Sequence, residues 1–280
     1  MSESRRLLYS CYRQATNWLV PTGVQDLVLR FGKRATGTRF VFLACFPKSG
    51  STLLSESLNH LPGWRRLSSI PADLTREQEP IHDYIAQDWL ASGNNVVFKN
   101  HVSHSDYLSW LITRYRMHCV FLVRNLADVC CSLSDHFDQE STKFPFVTLD
   151  NSQLSRLDDS SARARFIVDL VIPWYINCYT SWMKYGSSGG QIQIVRYEDL
   201  IGDTTHTIRQ VVSAVDIAHT DDEIETAIHQ AMTLPNRSRF NIGIVGRGRD
   251  YLDKNPLVEA TLQQYLSYYP DIDFSPIIDA

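Results

Sequence analysis

The chain is 280 residues long and 44% hydrophobic, with 13 glycines and 11 prolines, the composition of an ordinary folded globule expected to form one domain over residues 1–280. Its net charge of −4 conceals an asymmetry, because residues 1–39 hold seven Lys/Arg against two Asp/Glu and leave 20 against 29 for the remainder. So acidic a body excludes a general nucleic-acid-binding role, which needs a broad basic surface.

The basic N-terminal segment, 1–39, reads as helical. Leu7, Leu8, Trp18, Leu19, Leu27 and Phe31 stand among its arginines. That pattern suits a helix packed on the core with solvated arginines, or a peripheral contact with a membrane surface. Tyr9, Ser10, Arg13, Gln14 and Asn17 interrupt the apolar core of a signal peptide. The longest apolar-looking stretch, Phe166 to Met183, carries Asp169, Pro173 and Asn177 and makes a poor membrane span. Cys11, Cys45, Cys119, Cys130, Cys131 and Cys178 show neither CxxC pairs nor His/Cys metal spacings. Reduced, buried thiols in a soluble cytoplasmic protein are expected.

The first strand is read at Phe40 to Phe46. Behind it, Pro47-Lys48-Ser49-Gly50-Ser51-Thr52-Leu53 reads as an anion-gripping turn into a helix over Ser51 to Leu61. Gly50 admits close backbone approach, Ser51 and Thr52 bring hydroxyls, Lys48 brings a positive charge, and the helix brings unpaired N–H groups and its dipole. Phosphate or sulfate is the guest that such a turn suits. An ATP-type Walker loop reads GxxxxGK[ST], whereas here Lys48 precedes Gly50 and no earlier glycine stands at the required spacing. The turn is P-loop-like without being that loop.

Further strands are read at Val96 to Lys99, Cys119 to Val123 and Ile192 to Val195, and helices at Asp106 to Arg116, Ala127 to Phe137, Ala164 to Lys184 and Thr204 to Val215. The polar interval 138–163 reads as a long loop or lid, and Ser187-Ser188-Gly189-Gly190 as a turn. Strands alternating with helices imply a three-layer α/β/α architecture on a mostly parallel central sheet. Ligands of such sheets bind beyond the carboxyl ends of the strands. There the chain places Lys48, then Lys99, Asn100 and His101, then Arg124 and Asn125, then Tyr197, Glu198 and Asp199. Two lysines, a histidine and an arginine at one sheet edge make a cationic crevice for a polyanion.

These residues resemble the sulfotransferases that use 3′-phosphoadenosine 5′-phosphosulfate (PAPS), through four motifs in order between Phe40 and about Asp250. The family's phosphosulfate loop, PKSGTT(W), is matched by Pro47 to Leu53, and its KTH segment by Lys99-Asn100-His101. Its 3′-phosphate motif, RNxxDVxxS, is matched by Arg124-Asn125-Leu126-Ala127-Asp128-Val129-Cys130-Cys131-Ser132, and its YEDL segment by Tyr197-Glu198-Asp199-Leu200. The resemblance implies the P-loop-like sulfotransferase fold and transfer of a sulfuryl group from PAPS to a hydroxyl or amine, giving 3′-phosphoadenosine 5′-phosphate (PAP) and a sulfated product. It implies His101 as general base, Lys48 on the leaving phosphate and Lys99 beside the transferring group, without a metal. It also implies nucleotide contacts from Lys48, Ser49, Gly50, Ser51, Thr52 and Leu53, from Arg124 and Ser132, and from Tyr197 near the adenine. In the second motif Asn125 can cap the following helix, with Ser132 two turns along it.

The chain also departs from the pattern. The family's adenine-stacking tryptophan is Leu53 here. The late RKGxxGxW segment survives only as Asn241 to Arg249, where Gly243 and Gly246 stand without the leading Arg-Lys; with Gly243, Arg239, Arg247 or Arg249 would supply the missing nucleotide contacts. No match to the family's short dimerisation motif is found, which leaves the oligomeric state open. The resemblance leaves the acceptor open among small molecules, lipids and saccharides. Trp174 and Trp182, eight residues apart, read either as lining of an apolar acceptor pocket or as plain core. His104 reads as structural, Tyr197 as a nucleotide contact or a packing residue, and Glu198 and Asp199 as a cap for the next helix. An ATP-dependent small-molecule kinase with an atypical loop, and a non-catalytic PAP- or PAPS-binding protein, are the competing readings. Dependence on magnesium and ATP would mark the first.

Overall fold

The computed structural model describes residues 37–66, 81–83, 85–86, 93–139, 143–144, 147–148, 157, 159–233 and 244–279. Nearly all of the basic N-terminal segment, together with Cys11, Arg239 and Gly243, lies outside the described residues. In chain order the strands are β1 (Phe40–Cys45), β2 (Trp64–Arg66), β3 (Asn95–Asn100), β4 (His118–Val123), β5 (Lys143–Phe144), β6 (Val147–Thr148) and β7 (Gln193–Arg196). The helices are α1 (Ser51–His60), α2 (Asp106–Tyr115), α3 (Leu126–Gln139), α4 (Ser160–Phe166), α5 (Ile172–Ser187), α6 (Tyr197–Gly202), α7 (Thr204–Ser213), α8 (Asp221–Thr233), α9 (Arg247–Lys254), α10 (Pro256–Ser267) and α11 (Ser275–Ile278). None of these helices is long and apolar enough to cross a membrane.

Five strands form one parallel sheet in the order β2-β3-β1-β4-β7, while β5 and β6 make a separate antiparallel pair. β1 is buried at every position, so its alternating side chains must find apolar partners on both faces. Phe40, Phe42, Ala44 and Phe46 join a cluster with Phe98, Phe121, Tyr175 and Trp182. Val41, Leu43 and Cys45 join another with Leu54 and Leu58 of α1 and Ile208, Val211 and Val212 of α7. A helix layer therefore covers each face, as the expected three-layer α/β/α architecture requires. Each fully buried large side chain contributes about 1.5–3 kcal/mol.

Trp182 belongs to this core. It is fully buried, donates its indole N–H to the Val102 carbonyl at 2.9 Å, and packs near Phe42 and Phe121. Trp174 is partly buried against the same cluster. The helical spacing of the two tryptophans thus reports the face of α5 that meets the sheet, and the acceptor-pocket reading of Trp182 is corrected.

The interval 138–163 is not loop throughout. α3 continues to Gln139, β5 and β6 pair antiparallel, and α4 starts at Ser160, where the Asp159 carboxylate accepts the Ser161 N–H at 3.1 Å. A π-helical turn, Ile167–Val171, joins α4 to α5. Pro173 has no N–H for the carbonyl four residues back, and the widened turn just ahead of it accommodates that loss.

The chain leaves β1 for β2 and β3 on one side, then crosses to β4 and β7 on the other. The carboxyl end of β1 is therefore the topological switch point, where open parallel sheets of this kind hold their ligands.

Candidate active site

The turn that follows β1 is built as an anion cradle. Gly50 sits at φ 78°, ψ 13° as the N-cap of α1, no side chain caps that helix, and its first turn carries no acidic residue. The early N–H groups and the positive end of the dipole are thereby directed out of the helix, toward an anion. Lys48 holds φ 65°, a left-handed conformation costing a non-glycine residue about 1–3 kcal/mol. Contacts around the turn maintain it. The Phe46 N–H donates to Leu122 O at 3.1 Å, the Tyr175 hydroxyl to Pro47 O at 3.2 Å, an Arg124 Nη1 to Lys48 O at 2.9 Å and the Ser49 hydroxyl to Phe46 O at 2.6 Å.

Two expected contacts change character here. The Ser49 hydroxyl is buried and spent inside the turn, so Ser49 offers an anion only its backbone. Leu53 is buried in the α1–α7 cluster, so its side chain is core, and what it presents toward the turn is the N–H of the first turn of α1. Ser51 is buried and Thr52 half-buried at the head of α1, in place for the same anion.

At the carboxyl end of β3, Lys99 is partly exposed and His101 is 7% exposed. His101 Nδ1 lies 2.8 Å from the Cys45 carbonyl oxygen, which can only accept. In the neutral ring Nδ1 therefore carries the proton and Nε2 the lone pair, the tautomer a general base needs. The Cys45 thiol lies 3.3 Å from the same Nδ1 and donates to Asn100 O at 3.5 Å. His104 has another occupation: it stacks on Tyr185 with centroids 4.3 Å apart and lies 2.7 Å from the Ser109 hydroxyl through Nε2. Burial lowers its pKa, with Asp106 opposing.

At the carboxyl end of β4, Asn125 caps α3 as expected, accepting N–H groups from Ala127 at 2.9 Å and Asp128 at 3.2 Å. Its own N–H goes to Glu198 at 3.1 Å. The expected capping role of Glu198 and Asp199 is corrected: Tyr197–Gly202 is itself a helix, and Asp203 accepts the His206 N–H at 2.8 Å to start α7.

Arg124 is buried and multiply held. Besides Lys48 O it reaches Ile244 O at 3.4 Å and Asp128 at 3.5 Å, while its guanidinium lies 4.0 Å from the centre of the Tyr197 ring. Ser132 is buried two turns along α3. Next to it, burial pushes the Cys131 thiol up, against the Arg247 charge and with Asp135, Asp128 and Arg124 contributing after it. Arg124 pairs with Asp128 and Arg247 with Asp135, about one turn to either side of Ser132 along α3.

Asp128 was not singled out from the sequence, although it stands one helical turn from Arg124. Besides its charge on Arg124, its carboxylate takes the N–H of Gly246 at 2.9 Å and of Gly248 at 2.5 Å, drawing α9 onto the start of α3. The contact leaves no room: a Cβ on Gly248 would meet Ala127 C and Asp128 N at 2.5 Å, both backbone atoms. Gly248→Ala is accordingly expected to destabilise the fold by roughly 1–3 kcal/mol through overpacking. Thermal melting checks this, and a variant that melts with the wild type would refute it.

Of the late arginines, Arg247 turns toward α3 and grips Asp135 with two nitrogens, at 2.7 and 3.4 Å. That hydrogen bonding raises its pKa further. Arg249 points elsewhere. Its side chain is exposed, pairs with Asp253 at 3.0 Å and Glu259 at 3.6 Å, and lines a cavity of about 230 Å³ between α3, α9, α10 and α11. Lys48, Ser51 and Thr52 follow β1, Lys99 and His101 stand at the end of β3, Arg124 follows β4 and Tyr197 follows β7, so these residues share the carboxyl end of one sheet, while Ser132 lies two turns along α3 and Arg249 pairs elsewhere.

A parallel sheet with a positive-φ lysine turn at its switch point defines a P-loop-like α/β protein. Within that class, the sulfotransferase domain family model matches residues 39–241, and the chain belongs to the sulfotransferase family. The mouse sulfotransferase SULT7A1, solved as a complex with PAP, superposes with a TM-score of 0.61 at 15% identity, over 85% of this chain and 86% of that one. A retinol dehydratase solved with retinol and PAP gives 0.46 at 14% identity over 84% and 83%. Sulfotransferase STF1 from Mycobacterium tuberculosis H37Rv gives 0.46 at 13% over 94% and 91%. At such identities the first likeness is one of fold. No curated protein sequence matches the chain.

Proposed function

We propose that the chain transfers a sulfuryl group from PAPS to a hydroxyl-bearing small molecule, lipid or saccharide, with PAP as the other product. One observation carries this reading: an uncapped helix start, Lys48, Arg124 and His101 converge at the switch point of one sheet. His101 Nε2 accepts the acceptor's proton while the acceptor oxygen forms the new S–O bond. The S–O bond to the 5′-phosphate breaks in line, and Lys48 stabilises the charge that grows on the leaving phosphate, with Lys99 beside the transferring group. As in phosphoryl transfer, positioning and charge stabilisation dominate. A sulfuryl group carries less negative charge than a phosphoryl group, so lysines can suffice. Arg124 and Ser132 take the 3′-phosphate, and one domain houses the whole site.

The test is incubation with labelled PAPS and a panel of hydroxyl and amine acceptors, combined with titration of PAP. Binding of PAP in the micromolar range and a sulfated product are expected. Arg124→Ala is expected to weaken PAP binding by about 10- to 100-fold, the loss of a charge-assisted phosphate contact. Failure of both nucleotides to bind, or turnover that requires ATP and magnesium, would overturn the reading.

A further inference from the structure

Tyr197 opens α6 directly behind β7, and its ring touches both halves of the site. A Cβ on Gly50 would come within 2.8 Å of the ring's Cδ2 and 2.9 Å of its Cε2, so the ring is packed against the anion turn at the residue that starts α1. The same ring carries the Arg124 guanidinium 4.0 Å from its centre. Tyr197 is 5% exposed, and burial raises its phenol pKa, with Arg124 opposing. The hydroxyl therefore stays protonated and the ring acts as a neutral, electron-rich face.

Arg124 depends on that face. Its Nη groups reach Lys48 O and Ile244 O, but its Nε is buried without a hydrogen-bond partner. These bonds and the Asp128 contact are all made by the Nη groups, so packing against the face of the guanidinium adds a restraint that they do not supply. An aromatic face there attracts the cation and also restrains its plane.

We infer that Tyr197 is a positioning residue: its π face holds Arg124 on the Lys48 carbonyl, so that the grip on the 3′-phosphate and the placement of Lys48 form one unit. The inference rests on the nucleotide reading proposed above. It replaces a direct contact between the Tyr197 hydroxyl and the nucleotide by an action through Arg124, and it predicts that affinity and turnover move together when the ring is altered.

The test replaces Tyr197, in the full chain, by phenylalanine and by phenylalanine analogues of increasing fluorination, which keep the ring's shape while draining the negative charge from its face. PAP affinity, measured by calorimetry, is expected to fall stepwise along the series, reaching about fivefold for the fully fluorinated ring. The kcat should fall in parallel and the melting temperature should hardly move. Tyr197→Leu should lose more, and Tyr197→Phe should rescue that loss. A flat fluorination series would reduce the ring to packing and overturn the inference. Tyr197→Phe as damaging as Tyr197→Leu would return the role to the hydroxyl and overturn it equally. A wild-type protein that binds no PAP would instead sink the nucleotide reading itself, an outcome distinct from wild-type binding with a flat series.

Discussion

His101→Ala is expected to lower the transfer rate by about 10²–10⁴ while leaving PAP affinity within roughly twofold of the wild type, the signature of a lost general base. The expectation follows from how the imidazole is set. Its Nδ1 proton is committed to the Cys45 carbonyl at 2.8 Å, on the last residue of β1, while the ring itself follows β3. Adjacent strands thus fix the ring, and the register Ala44 to Asn100 places the two ends side by side. A base so held needs no reorientation when the acceptor arrives. His101→Asn is the sharper control, because its Nδ2 stands where Nδ1 does, so it can restore the hydrogen bond to Cys45 O and cannot serve as an efficient base at neutral pH. It should be as inactive as His101→Ala and should melt closer to the wild type. Single-turnover rates with labelled PAPS, beside calorimetric PAP titration, separate the two effects. Equal rates in His101→Ala and wild type would remove the histidine from the chemistry.

The parts of the fold that were legible in the sequence are those whose stability comes from repetitive apolar burial. β1 is six apolar residues buried at every position, and a run too short for a helix has only a central strand to form. α7 shows its pattern equally well, with Ile208, Val211 and Val212 on one face. α9 was not legible for the converse reason. Its sequence is Arg-Gly-Arg-Asp-Tyr-Leu-Asp-Lys, and its buried residue is Gly248, pressed on the backbone of α3. Backbone packing by a glycine leaves no hydrophobic period to read. β2, at three residues, and α6, at six, fall below the length at which any period can be recognised.

The site divides in the same way. Lys48, His101 and Arg124 were readable because each follows directly from a legible strand, and strand ends of a parallel sheet converge. What each side chain does there was not readable, since it depends on contacts between residues far apart in the chain. Tyr175 lies 128 positions from Pro47, yet its hydroxyl pins the turn. Arg247 and Arg249 differ by two positions on one helix, which sends the first to Asp135 and the second to Glu259. Leu53 stood out as the missing adenine platform, and it is instead a core residue of the α1 layer.

Lys48→Met carries the second large expectation: a fall in kcat of about 10²–10³, the usual loss when one preorganised stabiliser of a developing anion is removed. The substitution isolates the ammonium because the backbone at this position is held from outside. Its carbonyl is fixed by Arg124, the preceding carbonyl by Tyr175, and the following residues by the Ser49 hydroxyl and the Tyr197 ring. Methionine keeps the length and unbranched shape of the lysine stem, so the strain of φ 65° is the same in both proteins and cancels in the comparison. PAP affinity should weaken by less than about tenfold, since the helix-start N–H groups and Arg124 still hold its phosphates. The rate should suffer more than the binding, because charge on the leaving phosphate grows only as the S–O bond breaks. Lys48→Arg should recover part of the rate, limited by the bulk of a planar guanidinium where a compact ammonium stood. A Lys48→Met protein that turns over within about threefold of the wild type would show that the leaving phosphate is stabilised by the helix start without Lys48. A loss of affinity as large as the loss of rate would make Lys48 a binding residue equally in ground and transition state.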